Sequence, residues 1–214
     1  MADEYRGRIT GNVGGLYTVL TDIPTPAGRS VECRARGVFR HKHEKPLVGD
    51  IVNVLVPEAV GDDGAVIDFI HPRKNSLIRP PIANLDYIYI TAASASPSPD
   101  TEMLDKLTAI AEHAGISPVI IIGKSELDHE SAGRLAGIYR LAGYPTFSVS
   151  CVGGEGIEEL ERHIKLTLPG HTAAFAGASG VGKSSLINRL FPGLELLTSE
   201  VSRKTERGRH TTRQ

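Results

Sequence analysis

Short segments in which apolar and polar residues alternate fill the N-terminal part of the chain. In residues 30–38, Val31, Cys33 and Ala35 can face a core while the residues between them face solvent. Four more strands are predicted at residues 6–9, 15–20, 50–56 and 65–70, the last two flanking a Gly-Asp-Asp-Gly turn at 61–64. Short strands separated by turns predict a small all-β barrel. The oligonucleotide-binding (OB) barrel is the commonest five-stranded kind, and an SH3-like barrel is the alternative that periodicity leaves open.

The pattern changes after Leu85, where strand-like and helix-like segments begin to alternate. Apolar, β-rich segments lie at residues 87–91, 118–122, 146–149 and 172–176. Segments with helical apolar spacing lie between or after them, at residues 101–114, 131–141, 157–168 and 184–191. The first of these helices has Asp100 or Thr101 as its N-cap and Gly115 as its stop. This alternation predicts an α/β domain with a mostly parallel sheet that helices cover on both faces.

A polar, proline-rich stretch at residues 71–81 separates the two patterns. We therefore predict a barrel over residues 1–73, a linker over residues 74–83 and an α/β domain over residues 84–214. The chain of 214 residues is long enough for two such units, each with its own core.

Composition restricts the class of protein. Hydrophobic residues make up 40% of the chain and charged residues 23%, which is typical of a soluble globular protein. There is no apolar run of the roughly 18 residues that a membrane span needs, and the N-terminus lacks the apolar stretch of a signal peptide. Cys33 and Cys151 are too few for a disulfide framework or a zinc cluster, so we expect two buried cysteines in a cytoplasmic protein.

Charge is unevenly distributed although the net charge is only −1. Basic residues are concentrated in the first fifty positions: Arg6, Arg8, Arg29, Arg34, Arg36, Arg40, Lys42 and Lys45. A basic N-terminal unit is consistent with a surface that faces RNA. The solvated faces of ordinary strands would show the same pattern, so charge alone does not decide between the two interpretations.

The clearest chemical motif is a glycine-rich loop between a predicted strand and a predicted helix. It reads Gly177, Ala178, Ser179, Gly180, Val181, Gly182, Lys183, Ser184, Ser185 and has the spacing of a phosphate-binding loop. Glycines let successive backbone N–H groups face an anion, and the helix N-terminus adds a partial positive charge. Lys183 can reach the outer phosphates, and the Ser184 hydroxyl can coordinate a bridging Mg²⁺. The motif predicts binding of a nucleoside triphosphate.

Three further segments resemble motifs of GTPases. Gly123-Lys124-Ser125-Glu126 resembles the guanine-reading Asn-Lys-x-Asp motif, Ser150-Cys151 lies in a segment that resembles the Ser-Ala motif, and residues 207–212 resemble a switch I segment. The two base-reading motifs precede the phosphate loop along the chain. That order resembles a circularly permuted GTPase.

Taken together, the chain resembles the RsgA (YjeQ) family of small ribosomal subunit biogenesis GTPases. The resemblance runs along the whole chain and includes residues 32–37, 48–50, 72–80, 83–86 and, most specifically, 208–212. It implies an N-terminal OB barrel, a permuted GTPase domain and a C-terminal zinc-binding domain. It also implies a Mg²⁺-dependent hydrolysis of GTP to GDP that is slow without the small (30S) ribosomal subunit. The expected partners are that subunit and its rRNA, with no membrane, and we expect a monomer.

The resemblance also assigns roles to individual residues. Lys124 and Glu126 would read the guanine, Ser150 and Cys151 would donate backbone N–H groups to its O6 atom, and Thr211 or Thr212 would join Ser184 as a magnesium ligand. Members of the family carry a hydrophobic residue where other GTPases have a water-orienting Gln. His210 lies in the segment that closes over the γ-phosphate, and an imidazole can accept a hydrogen bond from the attacking water. An exposed polar residue is the alternative interpretation of His210.

The chain departs from the family pattern in two ways. Gly123 stands where the base-reading motif has Asn, and Glu126 stands where it has Asp. The chain also contains no Asp-x-x-Gly motif and no zinc ligands, so zinc is expected only in a C-terminal domain that this chain does not include. These departures leave two alternatives: a nucleotide-gated RNA-binding module with little turnover, and an ATP-using enzyme with a phosphate loop.

Overall fold

A computed structural model describes residues 2–41, 45–57 and 64–193 of the chain. The chain divides into two compact units, one that ends at Leu85 and one that begins at Asp86. Among the described residues, no helix is long and apolar enough to cross a membrane.

The N-terminal unit is a closed five-stranded barrel. Its strands are β1 (Ala2–Val13), β2 (Leu16–Thr25), β3 (Gly28–Ala35), β4 (Ile51–Pro57) and β5 (Ala65–Ile70), and a short helix, α1 (Val38–His41), follows β3. The strands close in the order β1-β2-β3-β5-β4, with β3 and β5 parallel and the other pairs antiparallel. This is the strand order of an OB barrel rather than an SH3-like barrel, so the predicted all-β OB-type unit is confirmed.

Strands β1 and β2 are longer than the sequence pattern predicts. Strand β1 pairs with β4 through its first half and with β2 through its second half, from Ala2 opposite Pro57 to Val13 opposite Leu16. Polar residues such as Asp3 and Glu4 therefore belong to the strand although they do not alternate with apolar ones. Backbone pairing with β4, where Asp3 lies opposite Val56 and Glu4 opposite Leu55, holds them in the strand, and the local pattern of side chains does not reveal this pairing.

The barrel core follows the predicted alternation. Val31 and Cys33 are 3% and 1% exposed, and Ala35 packs against the same cluster. Burial raises the pKa of the Cys33 thiol to about 12, so this thiol stays protonated and unreactive. The prediction that Cys33 is a buried cysteine is confirmed.

A buried carboxylate organises one end of the barrel. Asp50 is fully buried, and its two oxygens accept hydrogen bonds from Arg73 Nε at 2.7 Å and Arg73 Nη2 at 2.8 Å. The backbone N–H of Leu47 donates to the same carboxylate at 2.8 Å, and Arg73 Nη2 also donates to the carbonyl of Lys45. The buried charge is therefore both paired and hydrogen-bonded, which is the arrangement that makes burial of a charge tolerable.

The segment predicted as a linker contains ordered structure. Strands β6 (Ser76–Leu77) and β7 (Ile82–Ala83) form a two-stranded antiparallel ribbon. Asn75 accepts from the Leu85 N–H at 2.9 Å and donates to the Leu85 carbonyl at 2.8 Å. Each strand is only two residues long, too short for any periodicity to reveal it. The Asn75 side chain completes the ribbon by taking the place of a backbone partner.

Asn84 joins this ribbon to the barrel. Its side chain accepts from the Lys74 N–H at 2.9 Å and donates to the Gly49 carbonyl at 3.1 Å. Gly49 has φ 91°, and a Cβ there would lie 2.0 Å from the carbonyl oxygen of Ala83. Only glycine fits this contact between the barrel and β7.

The C-terminal unit is an α/β domain with a parallel sheet. Its strands are β8 (Tyr87–Ala93), β9 (Ser117–Gly123), β10 (Thr146–Val149) and β11 (Ala173–Ala176), arranged in the order β10-β9-β8-β11. All neighbouring pairs are parallel. The helices are α2 (Thr101–His113), α3 (His129–Leu141), α4 (Ile157–Thr167) and α5 (Lys183–Leu190). The predicted alternation of strand and helix is confirmed.

Helices pack on both faces of the sheet. On one face, α4 and α5 bury Ile157, Leu160, Ile164 and Leu186 against strand residues Tyr89, Val119, Ile121, Phe147 and Val149. Helix α2 contacts β8 and β9, and α3 contacts β9 and β10. The strands are apolar on both sides, as expected for a parallel sheet inside an α/β domain.

Helix α2 begins as predicted but presents a different face to the sheet. Asp100 is its N-cap and accepts a hydrogen bond from the Met103 N–H at 2.9 Å. The buried positions are Leu104, Thr108 and Ala111, whereas Ile110, which the pattern placed on the apolar face, is 51% exposed. Small side chains at positions 108 and 111 allow the helix to approach the sheet closely, a preference that counting apolar residues does not detect.

We predict that Arg73→Ala destabilises the barrel unit strongly. The variant leaves the Asp50 carboxylate buried without its counter-charge, and loss of one partner of a buried pair costs about 3 kcal/mol or more. Arg36→Ala is the matched control, because Arg36 is 51% exposed in its ion pair with Asp68 and should contribute less than about 1 kcal/mol. Urea unfolding followed by circular dichroism measures both. Equal losses in the two variants would contradict the prediction.

Candidate functional site

The motif loops meet at one edge of the parallel sheet. Strands β8, β9, β10 and β11 all end at this edge, and the loops that follow them are residues 94–100, 124–128, 150–156 and 177–182. The last three loops carry the base-reading and phosphate-binding motifs. Ligands of open α/β sheets bind at this carboxyl edge. The order of the motifs along the chain therefore does not affect their arrangement in space.

The phosphate loop connects β11 to α5 and is shaped by its glycines. Gly177 has φ 139°, and a Cβ there would lie 2.2 Å from the carbonyl oxygen of Thr91 on β8. Gly182 is the N-cap of α5 and has φ 97°, a conformation that favours glycine. Helix α5 starts at Lys183, one residue before the predicted start, so the N-terminus of the helix opens directly onto the loop.

Lys183 lies over the loop that precedes it. Its Nζ donates to the carbonyls of Gly177 at 2.9 Å and Ala178 at 2.6 Å. Burial lowers the pKa of this ammonium group, and among the described residues no carboxylate pairs with it. A half-buried ammonium group held only by carbonyl oxygens is a suitable partner for an anionic ligand. Ser184, the next residue, lies in the first turn of α5.

The base-reading loop is attached to the loop after β8. The Ser94 N–H donates to the Gly123 carbonyl at 2.9 Å, and the Ser94 hydroxyl donates to the Lys124 carbonyl at 2.6 Å. Lys124 Nζ in turn donates to the Ser96 carbonyl at 2.5 Å. Lys124 has φ 58°, in the left-handed region, and burial lowers the pKa of its ammonium group while Glu126 opposes that shift. These bonds fix the loop that would read a base.

Glu126 lies in a 3-10 turn, Ser125–Leu127, directly after Lys124. Its Oε2 atom is buried and has no hydrogen-bond partner among the described residues. A buried carboxylate oxygen without a donor is costly in a folded protein. A ligand that brings N–H groups to this position would supply what the protein does not.

Gly123, which replaces the Asn of the usual motif, lies directly against the phosphate loop. A Cβ at this position would lie 3.3 Å from the carbonyl oxygen of Val181 and 3.8 Å from Cγ2 of Thr91. An Asn side chain here would therefore start next to the phosphate loop. In this chain no side chain of residue 123 fills that space, and Val181 and Thr91 border it.

The two residues of the Ser-Ala-like motif differ in what they can offer a ligand. Ser150 is fully buried, and its N–H already donates to the Glu155 carbonyl at 2.9 Å. Its Oγ accepts from the Gly153 N–H at 2.9 Å. The Ser150 N–H is thus engaged within its own loop and is not available to O6 of a guanine in this arrangement.

Cys151 follows Ser150 and faces the space between the loops. Burial raises the pKa of its thiol, and the nearby Glu126 charge raises it further, while Arg189 on α5 opposes the shift. The thiol is therefore protonated near neutral pH. The prediction that Cys151 is buried is wrong: the residue is only partly buried, because the loop after β10 opens onto a cavity.

That cavity has a volume of about 520 Å³ and lies between the base-reading loop and the phosphate loop. Its lining includes residues of the Asn-Lys-x-Asp-like motif, the Ser-Ala-like motif and the phosphate loop. The lining residues are Thr91, Gly123, Lys124, Glu126, Leu127, Val149, Cys151, Val152, Val181, Gly182, Ser185, Leu186, Asn188 and Arg189. The size suits a nucleotide base. Thr91, Asn188 and Arg189 carry no motif, so sequence reasoning missed them. Thr91 could have been noticed as a hydroxyl inside an apolar strand segment.

The remaining predicted site residues, His210, Thr211 and Thr212, lie outside the described residues. Within residues 2–41, 45–57 and 64–193, no group of three or more His, Cys, Asp or Glu residues could hold a metal ion. A magnesium ion coordinated by a hydroxyl and by phosphates needs no such group. The donor set of the phosphate loop therefore fits a metal that arrives with a nucleotide.

Comparisons with known proteins agree with this geometry. A family model described as RsgA GTPase matches residues 70–214, and a model described as RsgA N-terminal domain matches residues 6–64. The chain belongs to the RsgA GTPase family. The resemblance predicted from the motifs is thereby confirmed, together with the fold class.

Similar members of the RsgA family include the small ribosomal subunit biogenesis GTPase RsgA of Caldanaerobacter subterraneus, which is 42% identical over 99% of this chain and 68% of its own length. The protein of the same name from Alkaliphilus metalliredigens is 39% identical over 97% of this chain and 68% of its own length. The chain thus spans about two thirds of these RsgA relatives.

Solved structures give the same result for the fold. The crystal structure of YjeQ from Thermotoga maritima is 33% identical and matches with a TM-score of 0.70, covering 92% of this chain and 68% of that one. The structure of YloQ, described as a circularly permuted GTPase, is also 33% identical and matches with a TM-score of 0.65 over 91% of this chain and 67% of that one. The RsgA assignment and the permuted arrangement are therefore supported by both sequence and fold.

We predict that Gly177→Ala lowers the free energy of unfolding of the α/β unit by about 2 to 3 kcal/mol, because the added Cβ would collide with the Thr91 carbonyl. Gly137→Ala on α3 is the control, since nothing lies within 4 Å of a Cβ there and alanine favours a helix. Thermal unfolding should show a lower Tm for the first variant and an unchanged or higher Tm for the second. A normal Tm for Gly177→Ala would show that the close contact does not exist.

Proposed function

We propose that the cavity binds GTP and that the chain hydrolyses it to GDP and phosphate during assembly of the small ribosomal subunit. The observation that carries this proposal is the cavity itself, where a phosphate-type loop and the Glu126 carboxylate face one space. Membership of the RsgA family, whose matched relatives are named small ribosomal subunit biogenesis GTPases, supports the same function.

The phosphate end of the nucleotide would lie on the loop of residues 177–185. Backbone N–H groups of the loop and the N-terminus of α5 would stabilise the phosphate charges. The Lys183 ammonium, which here donates to two carbonyls of its own loop, would turn to the outer phosphates. The Ser184 hydroxyl would hold a Mg²⁺ ion, which neutralises charge on the phosphates.

The base end of the nucleotide would lie against Glu126. Guanine presents two N–H donors on one edge, and the unpartnered Oε2 of Glu126 is an acceptor for them. The apolar stem of Lys124 would cover one face of the base, since its Cε lies only 3.9 Å from a Cβ position at Gly182. Cys151 is left to donate its N–H to O6, because the Ser150 N–H is engaged.

Residues beyond the described part of the chain would complete the reaction. Thr211 or Thr212 would be the second protein ligand of the magnesium ion, and His210 would orient the water that attacks the γ-phosphate. The N-terminal barrel would bind rRNA in the cytoplasm. Arg29 and Arg34 are exposed on the barrel. Arg34 and the N–H groups of Arg29 other than the one that donates to the Asp22 carbonyl at 2.7 Å would contact RNA phosphates.

We predict that the full-length protein binds GTP at least tenfold more tightly than ATP and that small ribosomal subunits stimulate its GTP turnover. Equal affinity for ATP and GTP would contradict guanine recognition, and turnover that ignores the subunit would contradict the role in assembly. Glu126→Gln should lose most of the preference for GTP, because an amide offers only one acceptor oxygen and adds a donor that opposes the guanine N–H groups. Calorimetry and phosphate release measure these quantities.

We predict that His210→Ala in the full-length protein lowers GTP turnover by about 10²-fold or more and leaves GTP affinity unchanged, because positioning of the water affects only the chemical step. His171→Ala is the control, since His171 lies in the exposed loop before β11, away from the cavity. Single-turnover hydrolysis with small subunits present measures the effect. Unchanged turnover would remove His210 from the mechanism.

A further inference from the structure

Thr91 is a polar residue in an otherwise apolar strand segment, and it belongs to none of the three sequence motifs of the site. It is 3% exposed, between Ile90 and Ala92 on β8. Its Oγ1 atom is buried and has no hydrogen-bond partner among the described residues. A valine would fill the same volume without leaving a hydroxyl unpaired. A ligand that forms a hydrogen bond with this hydroxyl would supply a partner that the described residues do not.

The position of Thr91 places it between the two halves of the nucleotide site. Its backbone carbonyl is the atom against which Gly177 of the phosphate loop packs. Its side chain lies in the cavity wall beside Gly123, the first residue of the base-reading motif. Ser125 also has a buried hydroxyl without a partner, but it is not part of the cavity wall.

Gly123 leaves space that the Thr91 side chain can use. A Cβ at position 123 would lie 3.8 Å from Thr91 Cγ2, so the methyl group of Thr91 borders the volume where an Asn side chain would begin. In a strand, rotation of threonine about χ1 to the next staggered rotamer can bring the hydroxyl to the place where the methyl group lies, while the methyl group moves to the place of the Cβ hydrogen. After that rotation the hydroxyl faces the vacant volume and can donate a hydrogen bond.

The chemistry of guanine indicates which atom would receive that hydrogen bond. Glu126 is the acceptor for the N–H edge, and the Cys151 N–H is the donor to O6. The acceptor next to O6 on the same side of a guanine is N7. A hydroxyl from the side of Gly123 and Val181 would approach the base at the end nearest the phosphate loop.

We propose that the Thr91 hydroxyl is a base-contacting group that donates a hydrogen bond to N7 of the bound purine and thereby replaces the Asn amide missing at Gly123. This inference rests on the proposed function, because it needs a guanine nucleotide in the cavity. It adds a residue of β8 to the base-reading site. It also explains why a buried hydroxyl is retained at a position that an apolar residue would fill.

The test compares Thr91→Val, which removes the hydroxyl, with Thr91→Ser, which keeps it. In the full-length protein, Thr91→Val should bind GTP roughly fivefold more weakly, in line with one lost hydrogen bond, while Thr91→Ser stays within about twofold of the wild type. Without nucleotide, the Tm of Thr91→Val should be unchanged or higher, because an unpaired hydroxyl has been removed. A purely structural role would instead lower the Tm and leave GTP affinity unchanged.

A modified nucleotide supplies a second test, whose first comparison uses only the wild-type protein. The probe is 7-deaza-GTP, in which a C–H group replaces N7. The wild-type protein should bind it roughly fivefold more weakly than GTP, and Thr91→Val should bind the two equally. Adding Gly123→Asn to Thr91→Val should restore the preference for GTP, since the amide would occupy the same space.

The outcomes separate the two proposals. If the wild-type protein binds no GTP, the proposed function fails. If it binds GTP and 7-deaza-GTP equally, or if Thr91→Val binds GTP as tightly as the wild type, the proposed function stands and the role of Thr91 is overturned.

Discussion

The parallel direction of four strands is the constraint on which the nucleotide site depends. Because β8, β9, β10 and β11 run the same way, every loop that leaves a strand end arrives at one edge of the sheet. The strand that carries the phosphate loop comes last along the chain, yet it pairs with β8, the first strand. A change in the order of the motifs along the chain therefore leaves their positions in space unchanged, provided that each strand keeps its neighbours and its direction.

Within this edge, contacts between backbones hold the loops at fixed distances. Gly177 packs against the Thr91 carbonyl, and Gly123 lies beside the Val181 carbonyl. Side chains are absent at these contacts, so the phosphate loop and the base-reading loop approach each other as closely as the chain permits. Polar groups that have no protein partner, such as Glu126 Oε2, remain around the cavity. Thr91 and Glu126, two of the described residues that have a buried polar atom without a partner, thus line the space that a ligand would occupy.

Sequence reasoning recovered most of this architecture because the relevant signals are local. Alternation identified the barrel strands, the N-cap of α2 was predicted at Asp100 or Thr101 and is Asp100, and the phosphate loop follows a motif of fixed spacing. Other features depend on contacts distant in sequence. Strand β1, for example, owes its length to pairing with β4. The hydrogen bond from the Ser150 N–H to the Glu155 carbonyl is local, but it depends on the conformation of the loop, which no motif specifies. Thr91 could not be assigned a place in the site until the structure brought it next to Gly123.

The network around Asp50 has a consequence for how the protein can be divided. Arg73 donates to Asp50, Asn84 donates to the Gly49 carbonyl, and Asn75 donates to the Leu85 carbonyl. The residues from the end of β5 to Leu85 are therefore part of the barrel unit and not a free linker. A gene fragment cut after the last barrel strand would lose the guanidinium that neutralises Asp50. A fragment that continues to Leu85 would keep it, together with the ribbon of β6 and β7. The natural cutting point for isolating the barrel therefore lies some fifteen residues beyond β5, which ends at Ile70.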